Sequence, residues 1–203
     1  MNLNKITNYF IPYRILDIGA NVGGWYRECK SYYPYSEILS IEANDECEEI
    51  LKTVNPNYKI ALLAKDNEIY KYYKNKEVYS STGNSIYKEL TPHYTDDNTY
   101  FVEIQGVLLD DLLLKQNPFD LIKMDVQGAE LDIIKGGYFT CINAKGILLE
   151  VALKEYNQGA PLYDEVIDYM KSIGFKQVEV LENLPYNGEI YDQDLLFINE
   201  NII

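Results

Sequence analysis

The sequence is poor in the residues that build metal centres and disulfide frameworks. Its 203 residues include one histidine, His93, and three cysteines, an odd number without a C-x-x-C spacing. A structural zinc site needs more ligands of these types, and a secreted disulfide scaffold needs paired cysteines. No apolar run approaches the roughly 20 residues that span a bilayer, and the first residues contain no apolar signal core. These absences predict free thiols, no metal, no membrane span and a cytoplasmic location.

Basic residues are also scarce. There are 18 lysines and arginines against 32 aspartates and glutamates, which gives a formal net charge of −14, and the lysines are scattered. Nucleic-acid binding requires clustered basic side chains, so the charge argues against a nucleic-acid partner and favours a small polar one. The hydrophobic content of 47% excludes a disordered chain, and the length suits a single domain over 1–203.

What is present is an alternation of strand and helix patterns. Strands are predicted at 15–18, 37–42, 58–63, 120–125, 146–151, 177–181 and 195–199, and helices at 24–32, 45–54, 129–135 and 162–172. Such alternation predicts βαβ units and a mostly parallel sheet. The stretch 75–101 interrupts the pattern between the third and fourth strands. It is read either as a substrate-covering insertion or as a solvated surface excursion.

The first strand ends in a glycine loop, D-I-G-A-N-V-G-G, from Asp17 to Gly24. Such a loop lets a ligand approach bare backbone, and amide groups at the following helix start can face that ligand. The spacing is not the G-x-G-x-x-G of dinucleotide sites. A carboxylate at Asp17 would repel a pyrophosphate but suits a cationic ligand.

Two further blocks lie at predicted strand ends. In nucleotide-binding sheets an acidic residue roughly 20 residues past the glycine loop binds ribose hydroxyls, and Glu42 has this spacing. Taken alone, Glu42 could also be a surface glutamate. Asn44 either caps the next helix or approaches the adenosine. In K-M-D-V-Q-G-A-E, Lys123 and Asp125 share one strand face, where their pairing would lower the pKa of Asp125 and keep it ionised. Asp125 could instead cap the next helix.

These blocks together resemble an FkbM-type S-adenosylmethionine (SAM) methyltransferase, a Rossmann-like class I enzyme. The similarity runs in order through I-L-D-I-G-A-N-V-G, I-E-A-N, V-L-L-D-D-L, D-L-I-K-M-D-V-Q-G-A-E and I-L-L-E-V, from about residue 14 to residue 197. Gln127 departs from the pattern, since the family usually has glutamate there. A role that needs a carboxylate at this position, as metal ligand or base, is therefore in doubt.

The resemblance implies a single doubly wound α/β domain with a seven-stranded, mostly parallel sheet. Its last strand would be antiparallel, with helices on both faces. The SAM-binding half would lie within 14–55, and SAM would leave as S-adenosylhomocysteine. The implied activity is O-methylation of a sugar, glycan or related metabolite. Carried over residue by residue, the cofactor positions are Asp17, Gly19, Asn21, Gly23, Glu42, Asn44, Ser85 and Asp125. Ser85 would contact either the SAM carboxylate or the acceptor.

Three residues are candidates for the base that removes the hydroxyl proton: Asp125, Glu150 and His93. Glu150 follows an apolar run at the ligand-bearing edge, where burial could raise its pKa, but it could equally be a cap or an ion-pair partner. Histidine is the residue type whose unperturbed pKa lies near neutrality, and His93 is alternatively an ordinary loop residue. Asp110 and Asp111 could indicate magnesium but are read as a helix start, so no metal is predicted.

Two other functions remain open. One is a nucleotide-dependent enzyme on a similar sheet, against which the glycine spacing and Asp17 argue. The other is a SAM-binding or partner-binding module without catalysis, for which Gln127 is the one hint. The acceptor and the oligomeric state are not encoded in any recognisable motif.

Overall fold

The computed structural model describes residues 1–76 and 82–203. Within these ranges the strands are β1 (Arg14–Ile18), β2 (Glu37–Glu42), β3 (Tyr58–Ile60), β4 (Ile69–Asn75), β5 (Thr99–Gln105), β6 (Leu121–Met124), β7 (Gly146–Ala152), β8 (Phe175–Tyr186) and β9 (Glu189–Asn199). The α-helices are α1 (Gly24–Tyr32), α2 (Glu48–Val54), α3 (Leu109–Leu113), α4 (Glu130–Gly136), α5 (Tyr138–Ile142) and α6 (Tyr163–Ser172). Leu3–Asn8 and Asp45–Cys47 form short 3-10 helices.

Seven strands form one sheet in the order β3-β2-β1-β6-β7-β9-β8. The first five are parallel, and β9 runs antiparallel to both β7 and β8. This confirms the predicted α/β class, with a mostly parallel sheet and an antiparallel last strand. The register places Asp17 of β1 between Ser40 of β2 and Lys123 of β6.

The core lies on both faces of the sheet. Leu16, Ile122 and Leu149 belong to a cluster that includes buried residues of helices α3 to α6. The alternate residues Ile15 and Leu121 belong to a second cluster with Cys29 of α1 and the amino-terminal 3-10 helix. Parallel strands covered on both faces are apolar on both faces, which explains their continuous apolar runs in the sequence. Helices therefore cover both sides of the sheet.

The largest differences from the predicted elements lie in two hairpins. β4 and β5 pair antiparallel in a separate two-stranded sheet, which the sequence pattern did not predict. The irregular stretch 75–101 is largely the connection of this hairpin. β8 and β9 are longer than predicted because Asn187 and Gly188, at φ 51° and 82°, form a tight turn between them. The short helix α5 was not predicted as a separate element, and α3 was expected only as a helix start at Asp110 and Asp111.

No helix within 1–76 and 82–203 has the length and apolar character needed to cross a membrane. The three cysteines are buried and form no disulfide in this structure.

Candidate active site at the carboxyl edge of the sheet

A cavity of 420 Å³ lies where β1, β2, β6 and β7 end. β1, β2 and β6 contribute the residue at the strand end or just beyond it, Gly19, Glu42 and Asp125, and β7 contributes Glu150, two residues before its end. The remaining lining comes mainly from the β4–β5 connection and the β8–β9 hairpin. Open α/β sheets bind ligands at this edge, because the loops that follow the parallel strands diverge there.

The glycine loop brings bare backbone to the cavity. Gly19, Asn21 and Gly23 all have positive φ, at 78°, 47° and 79°. A Cβ on Gly19 would lie 1.9 Å from the carbonyl oxygen of Asp125, so only glycine lets the loops after β1 and β6 approach this closely. The amides of Gly19 and Ala20 donate to the carbonyl of Ile41, which fixes the loop against β2.

Glu42 joins the glycine loop to the end of β2. Its Oε2 accepts a hydrogen bond from the amide of Asn21 and its Oε1 accepts one from the amide of Asn44, both at 2.7 Å. Burial raises the pKa of Glu42, while these amide donors act in the opposite direction. A carboxylate has about four acceptor sites, and the amides of Asn21, Asn44 and Ala43 use at most three, so Glu42 can still accept a hydrogen bond from a ligand in the cavity.

Asp17 lies behind the loop, and its side chain does not line the cavity. The carboxyl group is fully buried, accepts a hydrogen bond from the Ser40 hydroxyl at 3.3 Å and lies 3.7 Å from the Lys123 ammonium. Burial raises the pKa of Asp17, and Lys123 partly offsets the rise. Asp17 would therefore act on a ligand in the cavity only indirectly, through Lys123 and the glycine loop.

Lys123 and Asp125 form the pair expected from their spacing. The Lys123 ammonium is buried, 3.2 Å from Asp125 Oδ2, and lies over the Trp25 ring. Desolvation acts to raise the pKa of Asp125, but Lys123 and a hydrogen bond from Gln127 outweigh it and hold the pKa below its usual value. Asp125 is thus ionised at neutral pH.

Gln127 connects Asp125 to a second carboxyl group. Its amide Nε2 donates to Asp125 Oδ1 at 3.0 Å and to Glu150 Oε2 at 2.5 Å. Burial, together with the negative charge of Asp125, raises the pKa of Glu150 well above its usual value. Two neighbouring carboxyl groups with opposed pKa shifts are the arrangement that separates acid and base roles in one site.

Tyr156 and Asp192 complete this part of the cavity, and the sequence analysis missed both. The Tyr156 hydroxyl lies 3.5 Å from Gln127 Oε1. Asp192, on β9 opposite Ala152, has its pKa raised to about 7 by burial, which the Tyr156 hydroxyl partly offsets. Its Oδ1 is buried and has no hydrogen-bond partner within the described residues. The N-G turn signal before β9 could have indicated that Y-D-Q-D lies on a hairpin strand.

The β4–β5 connection forms another side of the cavity. The Ser85 hydroxyl is shared between the carbonyls of Gln127 and Val126, at 2.9 and 3.1 Å, which ties the connection to the loop after β6. Asn84 Oδ1 accepts hydrogen bonds from the Asn75 amide and the Tyr94 hydroxyl. The Asn84 amide nitrogen is buried and has no partner among the residues described.

Most of the predicted site residues meet in the cavity. Its lining includes Gly19, Asn21, Glu42, Ser85, His93, Asp125 and Glu150. His93 is exposed at the rim. Three predicted residues lie outside the lining: Asp17, Gly23 and Asn44. Gly23 is the N-cap of α1, and Asn44 caps the following 3-10 helix by accepting the Glu46 amide, which was its alternative reading.

Metal-binding side chains do not converge in the described ranges, where no group of three or more His, Cys, Asp or Glu side chains could hold a metal ion. The absence of a metal stays a prediction. Asp110 accepts the amides of Phe139 and Thr140 at the start of α5, and both Asp110 and Asp111 lie in the first turn of α3, as the helix reading expected.

The fold is a Rossmann-like α/β sheet with a glycine loop and a cavity at the carboxyl edge of its parallel strands. Residues 17–176 match the model of the methyltransferase FkbM domain. The chain belongs to the FkbM family of SAM-dependent methyltransferases.

Solved structures agree with this fold. The FkbM methyltransferase from Methylobacillus flagellatus KT superposes with a TM-score of 0.58 at 15% identity, over 91% of this chain and 43% of that protein, so this chain spans less than half of its length. The magnesium protoporphyrin IX methyltransferase of Synechocystis PCC 6803, with bound SAM, gives 0.52 at 11% identity over 96% and 74% of the two chains.

The fold alone does not define the acceptor. A putative tRNA (m1A22) methyltransferase from Streptococcus pneumoniae matches with a TM-score of 0.52 at 12% identity, over 98% of this chain and 70% of that protein. A search of curated protein sequences finds no significant match.

Proposed function

We propose that the protein transfers a methyl group from SAM to a hydroxyl of a small polar acceptor, such as a sugar, a glycan or a related metabolite. The observation that carries this proposal is the Asp125–Gln127–Glu150 arrangement beside the cavity. In this arrangement the ionised carboxylate of Asp125 and the Glu150 carboxyl, whose pKa is raised, line the same cavity as the glycine loop.

The residues at one end of the cavity fit SAM. Gly19 and Asn21 present backbone, and Glu42 retains acceptor capacity for ribose hydroxyls. Leu62 is among the apolar residues that line the same end and suit an adenine ring. The unpartnered amide nitrogen of Asn84 suits a carboxylate. When bound, SAM supplies a methyl group whose bond to sulfur breaks as the acceptor oxygen attacks, which leaves S-adenosylhomocysteine.

The chain itself has to position the acceptor and take its proton. Positioning supplies much of the rate in such a transfer. Glu150 is the strongest candidate base, because a carboxylate of raised pKa binds a proton more readily than Asp125, which Lys123 holds ionised. Gln127 orients both carboxyl groups. His93, exposed at the rim, is the remaining candidate.

The charge of the molecule supports a small acceptor rather than a nucleic acid. The net charge is −14, and no lysine or arginine lines the described cavity. Ser85, Thr91 and His93 support a substrate-side role for 75–101, while Gly19 and Glu42 support a SAM-side role for 14–55. We retain one domain over 1–203 and a cytoplasmic location as part of the proposal.

Two measurements test this function. Isothermal titration with SAM, S-adenosylhomocysteine and NAD should show binding of the first two alone, and binding of NAD without SAM would favour the nucleotide-dependent alternative. Methyl transfer from labelled SAM to metabolite pools should then be detectable. S-adenosylhomocysteine binding without any transfer would favour the non-catalytic module.

The base assignment has its own test. Glu150→Gln should lower kcat by about 100-fold or more, the usual contribution of a general base, with little change in S-adenosylhomocysteine affinity. Glu200→Gln, in the exposed turn that follows β9 and away from the cavity, is the matched control. Unchanged kcat in Glu150→Gln would move the base to Asp125 or His93.

A further inference from the structure

The end of the cavity away from the glycine loop has a distinct chemical character. We call it the acceptor wall and define it as Glu89, Glu150, Tyr156, Tyr191 and Asp192, all of which line the cavity. It consists of three carboxyl groups and two tyrosine rings, supplied by the β4–β5 connection, β7 and its following loop, and β9.

In the described ranges no lysine or arginine forms an ion pair with the acceptor wall, although the His93 ring acts on Glu89. Lys123, which does not line the cavity, pairs with Asp17 and Asp125. Lys154 lies over the Tyr191 ring but also pairs with Glu189 and does not line the cavity. Among the described residues no lysine or arginine lines it, and the sequence has neither residue at 77–81. Burial raises the pKa of Glu89, Glu150 and Asp192, and no described lysine or arginine pairs with them to offset the rise, so a bound cation is the group that would let these carboxyls ionise.

Individual polar atoms of this cavity also lack partners. Asp192 Oδ1 is a buried acceptor with no donor in the described structure. The Asn84 side chain, 7% exposed, offers a buried donor without an acceptor. Buried polar groups are normally hydrogen-bonded, so these atoms indicate groups that a ligand supplies. Asp192 requires a donor, and Asn84 requires an acceptor.

We propose that the acceptor is a polyhydroxylated amine, protonated at neutral pH, whose ammonium lies against Asp192 and whose neighbouring hydroxyl faces Glu150. This inference rests on the proposed function. An ammonium would donate to Asp192 Oδ1 and neutralise the acceptor wall. The rings of Tyr156 and Tyr191 would stabilise it further, since aromatic faces attract cations.

Acceptors of other charge fit less well. A neutral sugar could donate a hydroxyl to Asp192 but would not offset the desolvation that raises the pKa of the acceptor-wall carboxyls, and charge-assisted hydrogen bonds are roughly twice as strong as neutral ones. A phosphate or carboxylate would meet three carboxyl groups with no cation between them.

A charge-sorted substrate pool tests this inference directly. Small metabolites are separated by ion exchange into cationic, neutral and anionic fractions, and each is incubated with the protein and methyl-labelled SAM. At least tenfold more label should enter the cationic fraction. Selective N-acetylation of that fraction, which removes the amine charge and keeps the hydroxyls, should abolish most of the transfer.

Label that enters mainly the neutral or anionic fraction, label that is unaffected by N-acetylation, or no label in any fraction would overturn the inference. Titration with S-adenosylhomocysteine separates it from the proposed function. Failure of the wild type to bind S-adenosylhomocysteine contradicts the proposed function, whereas intact binding without a cationic preference contradicts only the acceptor class.

A variant pair tests the role of Asp192. Asp192→Asn should raise KM for the cationic acceptor about tenfold without changing S-adenosylhomocysteine affinity. Asp168→Asn, exposed on α6, makes the same charge change away from the cavity and should behave as the wild type. An Asp192→Asn protein that binds S-adenosylhomocysteine and keeps the wild-type KM would overturn the assignment.

Discussion

At the scale of single residues, the site depends on carboxyl groups that have different partners. Glu42 receives two backbone amides, Asp125 receives an ammonium and an amide, and Asp192 retains an oxygen without a donor within the described chain. The carboxyl group of Glu42 therefore holds backbone, that of Asp125 is a fixed charge, and that of Asp192 can accept a hydrogen bond from a ligand. The neighbouring residues determine which of these roles each carboxyl group has.

Glu42→Gln should weaken S-adenosylhomocysteine binding. The change replaces one carboxyl oxygen by an NH2 group that cannot accept from the Asn21 or Asn44 amide, so one buried amide loses its partner. We expect about a tenfold rise in Kd, measured by isothermal titration. Glu49→Gln, an exposed change on α2, is the control and should bind as the wild type. Equal affinity of the two variants would contradict a role for Glu42 in holding the ligand.

Gln127→Glu should destabilise the fold in a pH-dependent way. The new carboxyl loses the donated hydrogen bonds to Asp125 and Glu150 and places a third acid beside them, at a cost of about 1–3 kcal/mol when ionised. Its pKa would be raised in the folded state, so the deficit is small at low pH and grows as pH rises through that pKa. Thermal unfolding at pH 5.5 and pH 8 measures it.

The control for this prediction is Gln158→Glu, an exposed position without contact to either carboxyl group. A Tm deficit in Gln127→Glu that is no larger at pH 8 than at pH 5.5 would show that Gln127 does not separate the two acids.

The residue scale also shows what local sequence could and could not predict. Glu42, Asp125 and Gly19 follow apolar runs directly, so their position at the sheet edge could be read from spacing. Asp192 and Tyr156 enter the cavity through antiparallel pairing of β7 with β9, which no local pattern encodes. Asp17 matched the motif, yet its complete burial depends on the facing residues of β2 and β6.

At the scale of elements, the helices and parallel strands were predicted well because each one buries an apolar face with a clear period. Helix α1 agrees at both ends, and β2 does as well. The β4–β5 hairpin was missed because most of its side chains are exposed or only partly buried, so its strands lack a clear apolar period. Tyr72 of β4 is nevertheless buried, at 4% exposure. The N-G dipeptide at 187–188 is a hairpin-turn signal in the sequence, and using it would have extended the predicted strands β8 and β9 up to this turn.

Gly188→Ala should destabilise the β8–β9 hairpin. Gly188 has φ 82°, and a Cβ there would meet no atom within 4 Å, so the cost is backbone strain of about 1–2 kcal/mol. A fall in Tm of a few degrees is expected for a chain of this length. Gly24→Ala is the matched control, because its Cβ also meets open space but its φ is not in the left-handed region. Equal Tm values would mean that the turn tolerates a side chain.

At the scale of the whole molecule, burial gives a few carboxyl groups pKa values far above those of exposed carboxyl groups. Burial raises the pKa of three carboxyl groups to about 7: Glu130, Asp192 and Asp194. The folded protein thus retains protons near neutrality that the unfolded chain releases at lower pH. Carboxyl groups of this kind stabilise the fold fully only below their unfolded pKa, and the stabilisation is lost as pH rises through the folded pKa.

Thermal unfolding of the wild type should therefore show a falling Tm between about pH 4 and pH 7, the interval between the unfolded and the folded pKa values of these groups. Asp194→Asn should flatten this slope, because it removes one group with a raised pKa, whereas Asp168→Asn on the exposed face of α6 should leave it unchanged. A Tm that is constant or rises over this interval would contradict the predicted proton retention.

The two ends of the cavity differ in whether main-chain or side-chain atoms form them. The end that fits the methyl donor is largely main chain at strand ends, held by Gly19 and by amides bound to Glu42. The acceptor wall consists of side chains from the β4–β5 connection, from β7 with its following loop and from β9, and the Ser85 hydroxyl joins the connection to the loop after β6. Substitutions change side chains more readily than they change main-chain geometry. On the proposed function, related proteins with this fold could therefore change their methyl acceptor by side-chain substitution while they keep SAM as the methyl donor.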